Sequence, residues 1–258
     1  DLVAFTGSLK TAKSIHKRLS KKAGKIIPLI AETGGLNTMI VDSSALLERA
    51  CDDIIRSAFN SAGQRCSALR LLLVQEEIYP ELITMLKGAM DDLIIGIPSD
   101  SGVDIGPIIN SRALEKLQNH LIKMKSEGQD IFQTSIDQTP FEGNWFPPTL
   151  IEINSISILE EEQFGPILHV VSFSEDTLNQ YLEEINEKGF ALTFGIHTRI
   201  DSKALDAAKQ TSSGNIYINR DIVGAVVETQ PFGGKNLSGS GCKAGGPNYL
   251  MQFMDERV

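Results

Sequence analysis

The chain has 258 residues, of which 41% are hydrophobic and 22% are charged, and its formal net charge is −9 at pH 7. The acidic balance and the lack of a long Lys/Arg run argue against nucleic-acid binding, which favours a basic surface. No apolar run approaches the roughly 18 residues of a membrane span, and no signal peptide opens the chain.

The three cysteines, Cys51, Cys66 and Cys242, are odd in number and widely spaced. This pattern favours neither a disulfide framework nor a zinc site, so we expect no bound metal and a reducing, cytoplasmic compartment. The chain opens at Asp1 without a methionine, directly before a strand-like run. We therefore expect it to be a piece of a longer protein.

The first predicted strand covers residues 2–6, and Gly7-Ser8 opens a helical pattern that continues to about Lys22. This order places backbone N–H groups and a hydroxyl at a helix N-terminus, where a phosphate can bind. The same order is common in α/β proteins, so a packing role alone stays open.

The next elements surround two polar motifs. Strands are predicted at Lys25–Ile30 and Asn37–Val41, separated by Gly34-Gly35. The side chains of Asp42-Ser43-Ser44 are suited to capping a helix that continues to Phe59 and ends at Gly63. Cys51 lies in this helix, where a small core residue is favoured over a reactive thiol.

Strands and helices continue to alternate along the rest of the chain. Strands are predicted at 69–75, 149–153, 167–173, 191–197 and 214–219, and helices at 76–93, 112–125, 176–187 and 202–210. This order predicts an α/β fold with a mostly parallel sheet flanked by helices. The last forty residues are glycine-rich and weakly periodic, which is typical of a functional loop.

Cys66 follows the Gly63-Gln64-Arg65 turn and is the candidate nucleophile. A thiolate can attack an aldehyde, the adduct can lose a hydride to a nicotinamide, and a carboxylate can activate water to hydrolyse the thioester. A protease-like reaction would need a histidine partner, and none of the four histidines lies in a motif that provides one. Considered alone, Cys66 could also be buried core.

Glu32 lies between a buried strand and Gly34-Gly35. Its carboxylate could serve as a general base, and the glycines permit close approach of another group to the backbone. The alternative is a carboxylate that only accepts hydrogen bonds from the loop N–H groups. The local sequence leaves both open.

Five motifs resemble those of the aldehyde dehydrogenase superfamily in order and approximate spacing. They are Phe5-Thr6-Gly7-Ser8, Glu32-Thr33-Gly34-Gly35, Gly63-Gln64-Arg65-Cys66, Glu162-Gln163-Phe164-Gly165-Pro166 and Pro231-Phe232-Gly233-Gly234. The resemblance spans nearly the whole chain but only the C-terminal part of that family's subunit. It implies the family's α/β catalytic domain, preceded by the end of a Rossmann-like cofactor domain. It also implies that Cys66 is the catalytic thiol and Glu32 the general base.

The resemblance further implies NAD as cofactor. Gly7 and Ser8 would meet the pyrophosphate, and the backbones of Thr33 and Gly34 would line the nicotinamide pocket. Glu162 would hold the nicotinamide ribose, with Phe164 packed near the nicotinamide. Without the family context, Glu162 would be a solvated acid and Phe164 a core residue.

Further motifs resemble the 1-pyrroline-5-carboxylate dehydrogenase branch, in the form that bacteria fuse behind proline dehydrogenase. They include Ser67-Ala68-Leu69-Arg70, Phe146-Pro147-Pro148-Thr149-Leu150, Val223-Gly224-Ala225-Val226-Val227 and Lys243-Ala244-Gly245-Gly246-Pro247. In this branch the N–H groups of Gly224 and Ala225 would anchor the substrate's α-carboxylate, and Ser67 would add a hydroxyl. A plain surface connection is the alternative for this loop.

These observations predict three segments. Residues 1–35 would be the remnant of an NAD-binding domain, 36–235 the catalytic domain, and 236–258 a tail that contacts the cofactor domain or another subunit. The expected reaction is NAD-dependent oxidation of L-glutamate γ-semialdehyde to L-glutamate, in a parent chain that also carries proline dehydrogenase and can form a homodimer.

Two other functions stay open: a dehydrogenase of another acidic semialdehyde, or a non-catalytic binding or assembly module. The family's segments upstream of Asp1 carry most dinucleotide contacts, including those that choose between NAD and NADP. We therefore expect the piece alone to have little activity.

Overall fold

A computed structural model describes residues 1–136 and 143–254. The helices are α1 (Leu9–Ser20), α2 (Leu47–Phe59), α3 (Tyr79–Asp91), α4 (Ser111–Ser126), α5 (Leu178–Glu187) and α6 (Asp201–Gln210). The strands are β1 (Val3–Thr6), β2 (Leu29–Glu32), β3 (Thr38–Val41), β4 (Leu71–Gln75), β5 (Asp130–Gln133), β6 (Thr149–Glu152), β7 (Ile167–Phe173), β8 (Phe190–Ala191), β9 (Thr193–His197), β10 (Asn215–Ile218) and β11 (Lys235–Asn236).

The main sheet has seven strands in the order β10-β9-β3-β4-β7-β6-β5. All neighbouring strands are parallel except the β5–β6 pair at one edge. Every residue of β3 and β4 is buried, as expected for central strands whose two faces are covered by helices. The prediction of an α/β fold with a mostly parallel sheet is confirmed.

Helix α2 illustrates how the sequence positions the helices. Its apolar residues recur at helical spacing, and Ala50, Ile54 and Ala58 are fully buried in the core beneath the sheet. Cys51 is 5% exposed in the same core, so it is a packing residue, as predicted.

Two small sheets accompany the main one. Strands β1 and β2 pair in parallel, with Thr6 opposite Glu32, and β11 pairs antiparallel with β8. Gly239 of the C-terminal tail forms an antiparallel bridge with Glu32. The β1–β2 sheet falls within the predicted first segment, and the three segment boundaries stay predictions.

The structure corrects three local predictions. The second strand covers Leu29–Glu32 and not Lys25–Ile30, because Pro28 lacks an N–H for the ladder, and pairing with β1 begins after it. The Asp42-Ser43-Ser44 segment does not cap α2, which begins at Leu47, since Asp42 Oδ1 accepts hydrogen bonds from Ser44 instead.

The third correction concerns the end of α2. The helix ends at Phe59, and a 3₁₀ turn, Asn60–Gly63, carries the chain onward. Gly63 has φ +63° but ends this turn and not the α-helix. The prediction missed β5 and the two-residue strand β11, which are too short or too polar to show a period. It also joined β8 and β9 into one strand at 191–197.

None of the helices in the described ranges is long and apolar enough to cross a membrane.

Candidate active site

Three of the sequence motifs lie side by side at the amino edge of the main sheet. Glu32–Gly35 comes shortly before β3, Cys66 shortly before β4, and Glu162–Phe164 shortly before β7. Strands β3, β4 and β7 are consecutive neighbours and parallel, so their amino ends share one edge. The sheet therefore brings together residues that are far apart in sequence.

A strained turn leads into Cys66. Ser61 and Ala62 have φ values of 56° and 53°, a left-handed conformation that is uncommon outside glycine. Gly63 follows in the same conformation, and a Cβ there would lie 2.2 Å from the Gly165 carbonyl oxygen. The turn before Cys66 thus packs directly on the loop that contains Glu162 and Phe164.

The buried amide of Asn37 holds the main chain around Cys66. Its Nδ2 donates to the carbonyls of Cys66 (2.7 Å) and Ala68 (2.8 Å), and its Oδ1 accepts from the Thr193 N–H (3.1 Å). All of the amide's polar atoms are therefore used to tie the Cys66 segment to β9.

The Cys66 thiol is half-buried and lies near two carboxylates. Burial raises its pKa above the ordinary value, and the negative charges of Glu162 and Glu32 raise it further. The N–H groups of Ser67 and of Cys66 itself act in the opposite direction, because they donate toward the sulfur. The thiol therefore favours its protonated form and needs a base nearby to take the proton.

Glu32 has the properties of such a base. Burial raises its carboxyl pKa from 4.5 to about 7, although the Gly234 N–H donates to Oε2 over 2.8 Å. Oε1 is buried and has no hydrogen-bond partner among the described residues. Gly234 thus fixes one oxygen while the other has no partner among the described residues, and the carboxyl pKa of about 7 suits proton transfer near neutrality.

Glu162 pairs with a buried arginine. Its Oε1 lies 3.2 Å from Arg70 Nη2, and the Gly35 N–H also donates to the carboxylate. Burial raises the pKa of Glu162, and Arg70 lowers it. A Cβ on Gly34 would lie 1.9 Å from Glu162 Oε2, so only glycine leaves room for this carboxylate.

Phe164 and Thr33 flank the same edge. The Phe164 ring is 43% exposed, and the Arg70 guanidinium lies 5.4 Å from its centroid. Thr33 is buried, and its hydroxyl donates to the Leu237 carbonyl over 2.6 Å. The Thr33 N–H donates to the Ser238 carbonyl over 3.0 Å. An exposed aromatic face beside a carboxylate leaves room for a flat ligand ring.

Gly7 and Ser8 form the turn from β1 into α1. The Gly7 N–H donates to the Glu32 carbonyl over 3.1 Å, which joins this turn to the general-base candidate. Ser8 is the N-cap of α1, and its hydroxyl accepts from the Thr11 N–H over 3.3 Å. The first turn carries no acidic residue, so the helix N-terminus remains suited to an anion.

The loop after β10 returns toward the Cys66 edge. The Ile222 N–H donates to Ser57 Oγ (3.1 Å), and Leu69, three residues after Cys66, donates to the Ser57 carbonyl (2.9 Å). Gly224 follows with φ +73°. In residues 1–136 and 143–254, the N–H groups of Gly224 and Ala225 donate to no acceptor. They are available to a ligand anion, and the Ser67 side chain is buried beside Cys66.

Sequence reasoning missed Asn37 and Arg70 as site residues. A signal for Arg70 was present, because a charged residue in the otherwise apolar run 68–74 must find a buried partner. Asn37 carries no such signal, since its hydrogen bonds are set by distant segments.

One cavity lies away from this edge. It measures about 410 Å³ and lies at the opposite, carboxyl edge of the sheet, where Asp42, Gln75 and Phe173 line it. Neither this cavity nor one of about 300 Å³ beside His120 is lined by Cys66 or Glu32. The chemistry of the amino edge, and not cavity size, identifies the candidate site.

Comparison with known proteins agrees with the geometry. The sequence profile described as "Aldehyde dehydrogenase family" matches residues 1–258. The bifunctional protein PutA of Klebsiella aerogenes is 45% identical over 263 aligned residues, which cover 99% of this chain and 20% of PutA.

Two solved structures are similar to this one. A crystal structure of bifunctional proline utilization A (PutA) has a TM-score of 0.92 and 47% identity, and the match covers 98% of this chain and 26% of that chain. A 1-pyrroline-5-carboxylate dehydrogenase from Thermus with bound NAD has a TM-score of 0.87 and 29% identity, covering 98% and 49%. The chain thus spans between a fifth and a half of the length of such relatives.

Proposed function

The chain belongs to the aldehyde dehydrogenase family, and on that premise we propose that it carries the nucleophile and the general base of an NAD-dependent L-glutamate γ-semialdehyde dehydrogenase. The product would be L-glutamate, and the substrate is in equilibrium with 1-pyrroline-5-carboxylate. One observation carries the proposal: Cys66 and Glu32 lie at the same edge of the sheet, near enough for the Glu32 charge to act on the thiol, and Glu32 Oε1 is buried without a hydrogen-bond partner among the described residues.

The residues present fit NAD. The Glu162 carboxylate offers acceptors for ribose hydroxyls, and the exposed Phe164 ring offers a surface for a flat ring. Glu162 and Phe164 would hold the nicotinamide riboside, while Gly7 and Ser8 would meet the pyrophosphate at the α1 N-terminus. When bound, NAD supplies the acceptor for the hydride that leaves the substrate carbon. The similar 1-pyrroline-5-carboxylate dehydrogenase structure with bound NAD supports the use of a nicotinamide cofactor.

The chain's own residues account for the other steps. The Cys66 sulfur forms a bond to the aldehyde carbon, and the thiol proton leaves for a nearby base. Loss of the hydride converts this adduct into a thioester on Cys66. Glu32 then takes a proton from water while the water oxygen bonds to the thioester carbon. The C–S bond breaks, and Cys66 leaves as the thiolate.

The loop after β10 supports an acidic, amino-acid-like substrate. The free N–H groups of Gly224 and Ala225 would bind the α-carboxylate, and Ser67 would add a hydroxyl donor. Some similar proteins are named PutA and others 1-pyrroline-5-carboxylate dehydrogenase, and both names support this substrate class.

The cellular compartment and the parent polypeptide of this chain are also part of the proposal. Free cysteines at positions 51, 66 and 242 suit a reducing cytoplasm. The relatives named bifunctional protein PutA support the proposal that this chain is part of a polypeptide that also carries proline dehydrogenase. A homodimer stays a prediction.

The test uses the natural full-length polypeptide that contains this chain. NADH formation is measured with 1-pyrroline-5-carboxylate and, separately, with succinate semialdehyde, for the wild type and Cys66→Ala. We expect turnover of the first substrate to be far greater and to vanish in Cys66→Ala. Cys242→Ala, at an exposed position, is the matched control and should keep full activity. Retained activity in Cys66→Ala would refute the proposal, and a preference for succinate semialdehyde would reassign the substrate.

A further inference from the structure

Arg70 is the largest side chain that is fully buried among the described residues, with 1% of its surface exposed. It directly precedes β4, four residues after Cys66, and interrupts an otherwise apolar run. A guanidinium is costly to bury, so its contacts indicate what it does there.

The guanidinium joins two loops. Nη1 donates to the Gly165 carbonyl over 2.9 Å, and Nη2 donates to the Arg65 carbonyl over 3.1 Å. Nη2 also lies 3.2 Å from Glu162 Oε1. Arg65 immediately precedes Cys66, and Gly165 immediately follows Phe164. One side chain thus fixes the peptide before the proposed nucleophile and both ends of the proposed nicotinamide loop.

The ion pair between Arg70 and Glu162 is not arranged to stabilise the fold strongly. Glu162 is the only carboxylate within ion-pair distance of Arg70 in the described part of the chain, and its side chain is 18% exposed. Nε of Arg70 is buried with no acceptor among the same residues. A buried charge with an unsatisfied donor and a single carboxylate partner adds little net stability.

We propose that Arg70 is a positioning residue that sets the Glu162 carboxylate and the Cys66 peptide in a fixed relation to each other. This inference rests on the proposed function, because it assigns Arg70 to the cofactor and thiol sites of that reaction. The planar fork of arginine can donate to several acceptors in one plane at once. Lysine keeps the charge but not this fork.

The experiment uses the full-length polypeptide with Arg70→Met, Arg70→Lys and Glu162→Gln, and the double variant Arg70→Met/Glu162→Gln. Four quantities are measured well below the melting temperature. They are the NAD dissociation constant by calorimetry, kcat, KM, and the rate at which iodoacetamide alkylates Cys66, read by peptide mass spectrometry. The alkylation rate reports the thiol without NAD.

We expect Arg70→Met to weaken NAD binding, to change Cys66 alkylation, and to lower kcat/KM by about 100-fold, the loss typical of a reacting group displaced by about 1 Å. Arg70→Lys should lie between Arg70→Met and the wild type. In the double variant the effects on NAD affinity should be less than multiplicative, because Arg70 acts on the cofactor through Glu162.

Lys203→Met is the matched control. It removes the partner of another buried carboxylate, Asp42 Oδ2 at 2.7 Å, but at the opposite edge of the sheet. It should lower the melting temperature and leave NAD affinity and Cys66 alkylation unchanged.

The inference is overturned if both Arg70 variants melt earlier, as the control does, yet keep wild-type NAD affinity and Cys66 alkylation, since Arg70 would then be structural only. A wild-type polypeptide that forms no NADH would instead refute the proposed function, and this inference with it.

Discussion

The Asn37 side-chain amide donates to the main-chain carbonyl of Cys66 over 2.7 Å. Asn37 directly precedes β3, so a residue at the start of one central strand fixes the peptide that carries the candidate nucleophile before the next strand. The same amide also bonds the Ala68 carbonyl and the Thr193 N–H. The thiol is thus held by the sheet and not only by its own loop.

Replacing Asn37 by aspartate should disturb the thiol and destabilise the fold. The carbonyls of Cys66 and Ala68 would lose their donor and face a carboxylate, at a cost of about 1–3 kcal/mol for each unsatisfied buried group. We expect a lower melting temperature and an altered rate of Cys66 alkylation by iodoacetamide, measured by thermal unfolding and peptide mass spectrometry.

Asn186→Asp is the control for this substitution. Asn186 also bridges a carbonyl and an N–H, those of Gln210 and Ser212, but where α5 and α6 end. It should leave the alkylation of Cys66 unchanged. Equal alkylation rates in both variants would contradict a positioning role for Asn37.

Turnover should depend on the ionisation of Glu32. Its carboxyl pKa is raised to about 7, so the fraction able to accept a proton grows as the pH rises through 7. We expect the steady-state rate of NADH formation to rise over this range. Glu32→Gln should remove the rise and leave an initial burst of NADH, because the thioester forms but is hydrolysed slowly.

The ionisation of Glu32 should raise turnover but lower the stability of the fold as the pH increases. A carboxyl whose pKa is higher in the folded state than in the unfolded state costs nothing below pH 4.5, and its cost grows until the pH passes about 7. Glu32→Gln should therefore gain stability relative to the wild type between pH 5 and pH 8. An unchanged difference in melting temperature over that range would show that Glu32 is not buried as described.

Gly34→Ala should impair the proposed cofactor site. The new Cβ would lie 1.9 Å from Glu162 Oε2, so the carboxylate must leave its place beside Arg70. We expect weaker NAD binding by calorimetry and a higher KM for NAD. Gly88→Ala is the control, because Gly88 is exposed within α3 with nothing near a new Cβ. It should gain about 1 kcal/mol of helix stability and keep NAD binding.

A buried histidine pair should make the protein sensitive to acid. His120 Nε2 and His169 Nε2 lie 2.8 Å apart. Burial lowers the pKa of His120 to about 4 and of His169 to about 3, with the positive charges of Lys123 and Arg70 adding to the effect. Both histidines are thus neutral in the folded state, whereas the unfolded chain protonates them below pH 6.5.

The free energy of unfolding should fall as the pH drops from 6.5 toward 4, by about 1.4 kcal/mol per pH unit for each such histidine. His169→Gln should show a smaller fall between pH 7 and pH 5 than the wild type in denaturant unfolding. His16→Gln, on the exposed face of α1, should behave as the wild type. A wild-type stability that is flat over this range would contradict the buried pair.

Local patterns predicted much of the fold. The buried strands and amphipathic helices have clear periods, and their alternation implies parallel pairing, which β3, β4 and β7 confirm. Predictions failed where a single residue overrides a pattern, as Pro28 does at the start of β2. They also failed at β5, a four-residue strand at the edge of the sheet with no fully buried residue and so no apolar period to read.

The sequence by itself determined which groups could react: one thiol after a tight turn, one carboxylate before two glycines, and a family resemblance that comparison confirms. Only the tertiary structure decided that Asn37 fixes Cys66, that Glu32 has a free oxygen and a raised pKa, and that Arg70 bonds Glu162. The physical reason is that residue type and local period depend on neighbours in sequence. Burial depends on neighbours in space, and so do the hydrogen bonds between loops that precede different strands. The order of strands in the sheet determines which residues are those neighbours.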